Sequence, residues 1–187
     1  MKKIVLLLTI IMVSLSGVAQ IPNKFTLNEK MISIGTCFDV SGVNGVINEK
    51  VVSMTASFKL FIDDKLVCSS RQRYFSYGSK IDIFDAKGLL VGSVEEQVFE
   101  SLFSSFYTKY NIYDAKGKLI AESVKHKLMA TEFTIKNVNG VDICRITRPM
   151  INVLGDEWNV TFSKTNYNKL LFVFIPCYKT YRDNRDK

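Results

Sequence analysis

His126 is the only histidine in this chain, which rules out histidine-rich metal sites and leaves one imidazole for general acid–base work. It stands in Lys125-His126-Lys127, where two neighbouring cations disfavour the protonated ring, and the pattern reads as an exposed strand histidine. The acids Asp63/Asp64, Glu95/Glu96 and Asp156/Glu157 are sequence neighbours. Neighbours on a strand point to opposite faces, so they read as turn and solvent-side charges rather than shared-proton pairs. No Gly-x-Ser-x-Gly elbow, phosphate loop or dinucleotide fingerprint occurs. The expectation is therefore a protein without catalytic, cofactor-binding or metal-ligating residues. A pocket gathering His126 with acids or a thiol would revive an enzyme reading.

Four cysteines, Cys37, Cys68, Cys144 and Cys177, show no Cys-x-x-Cys spacing. They read as buried, unpaired thiols in preference to two disulfides, because cysteine is a common small core residue and a chain this long can fold without crosslinks. The net charge of +7 is spread along the chain, with modest clusters at Arg71/Arg73, Lys125/Lys127, Arg145/Arg148 and toward the C-terminus. Those first six residues are the candidate contacts to an anionic partner, either a membrane lipid or an envelope glycan. No stripe of cations alternates with aromatics, so nucleic acid is not expected.

The elements that must position these residues are announced by an internal repeat. Ile81-Asp-Ile-Phe-Asp85-Ala-Lys-Gly88-Leu-Leu-Val returns 29 positions later as Tyr110-Asn-Ile-Tyr-Asp114-Ala-Lys-Gly117-Lys-Leu-Ile. Asp-Ala-Lys-Gly is a hairpin turn: Asp caps it with its carboxylate, and Gly supplies the left-handed position of a type I turn with a bulge. Diverged copies extend both ways, from Glu29-Lys-Met-Ile-Ser33 through Glu49-Lys-Val-Val-Ser53 to Thr147-Arg-Pro-Met-Ile151, which precedes Trp158-Asn-Val-Thr-Phe162. Six units of two strands predict a mostly β chain of about twelve antiparallel strands. Between Glu95 and Phe106 the repeat favours strand through Val98 and then a loop.

Met1 to Gln20 has two lysines, an apolar run from Ile4 to Val13 and a small-residue end, the layout of a secretory signal cut after Ala19. Val18 stands where a lipoprotein would carry Cys, so a lipid anchor is not expected. Removing residues 1–19 leaves 168 residues, read as one domain spanning 20–187, with 23 Lys and Arg against 18 Asp and Glu. Leu170-Leu-Phe-Val-Phe-Ile175 is apolar at every position, and an element apolar all round is buried all round. The Ser/Thr/Asn lead-in favours a helix over about 166–178, ended or kinked by Pro176. The tail from Lys179 to Lys187 is expected at the surface.

Consecutive hairpins closed by an apolar C-terminal helix resemble the tubby C-terminal-like superfamily, and the repeated Asp-Ala-Lys-Gly units are similar to LURP-one-related and phospholipid scramblase-like proteins. The resemblance covers roughly Asn28 to Tyr181. It implies a closed antiparallel barrel with the helix through its middle, and it implies lipid binding. Closure would remove the exposed sheet edges. The expected function is that of an exported, non-catalytic, monomeric binding module of the periplasm or exterior that docks on anionic lipid or glycan. The alternative is a structural or protein-interaction domain of the cell envelope.

Overall fold

The computed structural model describes residues 21–30, 35–73, 79–100, 106–127, 131–149, 155–163 and 166–185. The secretory signal read at residues 1–19 lies outside them. Thirteen strands are present: β1 (Lys24–Glu29), β2 (Cys37–Val40), β3 (Gly45–Glu49), β4 (Ser57–Ile62), β5 (Lys65–Gln72), β6 (Ser79–Asp85) and β7 (Leu90–Glu100) lead the chain. They are followed by β8 (Phe106–Asp114), β9 (Leu119–Ser123), β10 (His126–Lys127), β11 (Glu132–Asn137), β12 (Asp142–Thr147) and β13 (Glu157–Phe162). Two helical segments end it, α1 (Leu170–Val173) and α2 (Ile175–Arg185).

Consecutive pairing runs from β8 back to β1, then β1 pairs with β13, and the order continues through β12 and β11 to β9. Because β9 also pairs with β8, twelve antiparallel strands close into a barrel. The two-residue β10 lies outside the ring and, among the described residues, pairs only with β8.

The strand number was legible in the repeat, but the phase was not. The lead stretch Glu49 to Ser53 contains the last residue of β3 and then leaves the sheet, with Val51 and Val52 exposed. Likewise β5 and β12 end at Gln72 and Thr147, where the corresponding leads begin. Most leads therefore sit at the connections at one end of the barrel, called here the lower end. The unit starting at Glu96 is the exception, since β7 continues through Glu100.

At the opposite, upper end, the hairpins form as their chemistry dictates. The Asp85 carboxylate accepts from the amides of Lys87 (2.8 Å) and Leu89 (2.9 Å), and Asp114 repeats this with Lys116 and Lys118 at 2.9 Å. Asn137 does the same for Asn139 and Val141. Gly88, Gly117 and Gly140 hold φ near +80°, a conformation that penalises any Cβ. The register shifts after Ile83 and Ile112 are the bulges such turns require.

The helical segments thread the barrel from the upper to the lower end. Residues 171–180 are all buried, and their ring contacts come from well-separated strands of the wall. Phe172 packs edge-on to Phe162 of β13 at 5.7 Å, and Tyr178 packs edge-on to Phe58 of β4 at 4.9 Å. The expected central helix is present, with shifted limits. It starts at Leu170, whose amide donates to Asn168 Oδ1 at 3.1 Å, and runs to Arg185. Pro176 does not end it. Helicity is interrupted at Phe174, and Pro176 lies in the first turn of α2, where the absent N–H would have had no partner in any case.

Candidate functional site

The six cations singled out in the sequence belong to strand ends and connections of the lower half of the barrel, but they do not form one patch. Arg71 and Arg73 lie at the end of β5, Lys125 and Lys127 flank His126 near β10, and Arg145 and Arg148 lie on and just after β12. These strands are separated in the ring, so the cations are distributed around it. Arg145 pairs with Glu132 across β11 and β12. Arg73 makes a bidentate contact to Asp82, with Nε and Nη2 at 2.8 and 2.9 Å.

Arg148 is mostly enclosed, its side chain 14% exposed. Its Nη1 donates to Asp156 (3.1 Å) and Asp183 (3.0 Å), and its guanidinium stacks 4.9 Å from the Trp158 ring. Trp158 Nε1 donates to Thr180 Oγ1, which donates on to Asp156. This network ties α2 to β13 and to the strand connection ahead of it.

Around Arg71 and Arg73 lies a groove of about 610 Å³ on the outer wall of β4 to β6. It also contains Lys50 and Lys59, which sequence reading missed because they fall in no cluster. The pleat brings them together: Lys59 of β4 is in register with Ser69, two residues before Arg71 on β5, so both side chains leave the same face. Among the described residues, Lys50, Lys59 and Arg71 have no carboxylate partner. The β3–β4 connection beside the groove exposes three apolar side chains, Val51 (52%), Val52 (88%) and Met54 (87%).

A second cavity, of about 380 Å³, lies inside the lower mouth, between α2 and strands β5 to β8. Three tyrosines (110, 178 and 181) and the Glu96–Arg182 ion pair contribute to its walls. Glu96 stands in register with Tyr110, and its carboxylate also accepts from Thr108 Oγ1 at 2.9 Å. Burial, and then the Glu96 charge, push the Tyr110 phenol far above its usual pKa, so the ring stays neutral.

Three expectations are corrected at this mouth. Glu96 is not a solvent-side charge but only 7% exposed, because it shares the inward phase of Val94. His126 is likewise buried, stacked on Phe133 at 4.6 Å with a 10° interplanar angle; Lys125 and Lys127 take the outward phase and carry the charge. The tail expected at the surface from Lys179 starts buried: Lys179 and Thr180 are enclosed, Lys179 Nζ donates to Asp183 at 2.7 and 2.8 Å, and exposure returns at Asn184. One sequence signal pointed this way. Ile175, Tyr178 and Arg182 are three, four and seven apart, one helical face, so Arg182 had to follow the apolar residues into the lumen.

The cysteines are unpaired; Cys68, Cys144 and Cys177 are buried as expected, whereas Cys37 is only half-buried and its Sγ donates to Asn48 Oδ1 at 2.9 Å. Burial raises the Cys68 thiol to about 12 and pushes the Cys144 and Cys177 thiols well above the usual value, which disfavours the nucleophilic thiolate at all three.

Fold and site together define a closed twelve-stranded antiparallel barrel with a helix in its lumen, a cationic groove outside and a polar cavity at one mouth. No family model and no curated protein matches the sequence. Among solved structures, the chain is similar to an X-ray structure of a protein from Arabidopsis thaliana, AT5G01750, at 9% identity and a TM-score of 0.37, covering 89% of this chain and 93% of that chain.

Proposed function

We propose that this protein is an exported, non-catalytic binding module of the tubby C-terminal-like kind, which docks its β3–β5 side on an anionic lipid surface. One observation carries the reading: three cations without carboxylate partners, Lys50, Lys59 and Arg71, surround a groove beside Val51, Val52 and Met54. Exposed apolar side chains gain by leaving water for the acyl boundary. Each neighbouring cation adds about 1 kcal/mol near an anionic leaflet. The barrel with its lumenal helix and the repeated Asp-Ala-Lys-Gly hairpins support the family reading.

Vesicle flotation of the protein lacking residues 1–19 tests this. Vesicles of phosphatidylglycerol and phosphatidylcholine carry the protein up at low salt, and phosphatidylcholine alone does not. The triple variant Lys50→Glu, Lys59→Glu, Arg71→Glu loses at least about 3 kcal/mol, roughly a hundredfold in partitioning. Arg148→Ala leaves flotation intact but lowers stability by about 3 kcal/mol, because Asp156 and Asp183 lose a partly buried partner. Absence of flotation with acidic vesicles at low salt removes the lipid reading and leaves a structural or protein-interaction domain.

A further inference from the structure

The lower-mouth cavity contains none of the groove cations Lys50, Lys59 and Arg71, yet it concentrates costly groups. A buried ion pair is stabilising only where its remaining donors and acceptors are matched. Arg182 meets Glu96 through Nη1, while its Nε and Nη2 are shielded from solvent and have no hydrogen-bond partner among the described residues. A native interior rarely leaves such donors unmatched without a functional reason.

The charges bear on which ligand class fits. Arg182 is matched by Glu96, Lys179 by Asp183, and Arg148 by Asp156 and Asp183. These groups balance, and burial keeps the His126 ring toward its neutral form. A carboxylate or phosphate would bring an uncompensated negative charge next to Glu96. A neutral ligand would not. The polar groups lining the cavity both donate and accept: Gln72 Nε2 donates to Ser79 Oγ at 3.0 Å, leaving the amide oxygen and the serine proton to a guest, while Glu96 accepts and Arg182 donates. Hydroxyl groups match such a mixture, since each gives one proton and accepts through two lone pairs. Tyr110 and Tyr181 contribute to the cavity walls, and tyrosine, an apolar body with a polar tip, suits the C–H face of a sugar ring. The volume, about 380 Å³, falls within the range of small-molecule sites, about 300–1,000 Å³.

We infer that the lower mouth of the barrel is a binding site for a short neutral saccharide, held between Tyr110 and Tyr181 and hydrogen-bonded by Gln72, Ser79 and the Glu96–Arg182 pair. The site shares Gln72 with the lining of the outer groove but none of its cations, and it does not depend on lipid docking.

Saturation-transfer NMR on the protein lacking residues 1–19 tests the assignment, with maltose, cellobiose and N,N′-diacetylchitobiose as neutral probes and benzoate as an anionic one. At least one disaccharide receives saturation with Kd of about 1 mM or tighter. The double variant Gln72→Leu, Ser79→Ala weakens it about tenfold or more, two hydrogen bonds' worth, with an unchanged thermal midpoint. Substituting Lys50, Lys59 and Arg71 by Glu leaves it untouched, which separates this site from the groove. Transfer to benzoate alone, transfer to none of the disaccharides, or transfer unaffected by the Gln72 and Ser79 changes would each overturn the proposal.

Discussion

At the scale of single residues, the inward phase of a strand decides chemistry that sequence neighbours obscure. His126 illustrates this. Its flanking lysines suggested solvent, but Tyr110 and Phe133 enclose the ring at 5.6 and 4.6 Å, and Nδ1 lies 3.2 Å from the Val124 carbonyl. Burial lowers its pKa from 6.5, Lys179 and Arg182 reinforce that, and the Val124 carbonyl and the Glu96 carboxylate oppose it. The unfolded chain therefore binds this proton more readily than the folded one. Stability attributable to His126 is complete above the unfolded value of 6.5 and declines as pH falls below it. His126→Phe keeps the stack on Phe133 and removes the titration. Urea midpoints at about pH 8 and about pH 5 should fall less steeply for the variant than for the parent protein. Equal slopes would show that the ring is not protonated more easily on unfolding. Arg148 makes the same point from the other direction: a cation chosen from the sequence as a surface contact is spent on Asp156, Asp183 and the Trp158 ring.

At the scale of elements, hairpins were the most legible feature, because their signals are local. Asp85, Asp114 and Asn137 cap their turns with identical hydrogen bonds, a pattern that needs no partner from elsewhere in the chain. Strand limits were less legible, since exposed stretches such as Val51–Val52 look like strand by composition alone. One glycine matters at this scale for its lack of a side chain. A Cβ on Gly92 would lie 2.2 Å from the Tyr113 carbonyl oxygen and 2.8 Å from Leu171 Cδ2, so β7 would have to move from both β8 and α1. Gly92→Ala is expected to cost about 3 kcal/mol or more, at the upper end of overpacking effects, and to lower the thermal midpoint. Gly88→Ala meets no atom within 4 Å and carries only the left-handed backbone penalty of about 1 kcal/mol. The order of the two midpoints checks the argument, and it fails if Gly88→Ala is the more damaging.

At the scale of the whole molecule, the barrel closes late in the chain. β1 and β13 pair in register from Lys24 with Thr161 to Asn28 with Glu157, and the helical segments that occupy the lumen follow β13. Phe172 and Phe174 are among the largest fully buried side chains, and truncating one such Phe to Ala typically costs about 3–5 kcal/mol. A chain ending at Ser163 should therefore keep strand signal in the far ultraviolet, bind a hydrophobic dye and lose its cooperative thermal transition. A cooperative transition in that truncated chain would show the sheet to be stable when hollow. By itself the sequence determined the hairpins, the number of strands in the ring and the burial of Leu170 to Ile175, because each of these follows from local turn chemistry, from its repetition or from an uninterrupted run of apolar residues. Only tertiary structure decided that Glu96 and Arg182 meet, that Arg148 is tied to α2, and that Lys59 and Arg71 share a face. Those meetings depend on strand phase and on ring closure, which bring together residues whose separation in the chain says nothing about their distance in space.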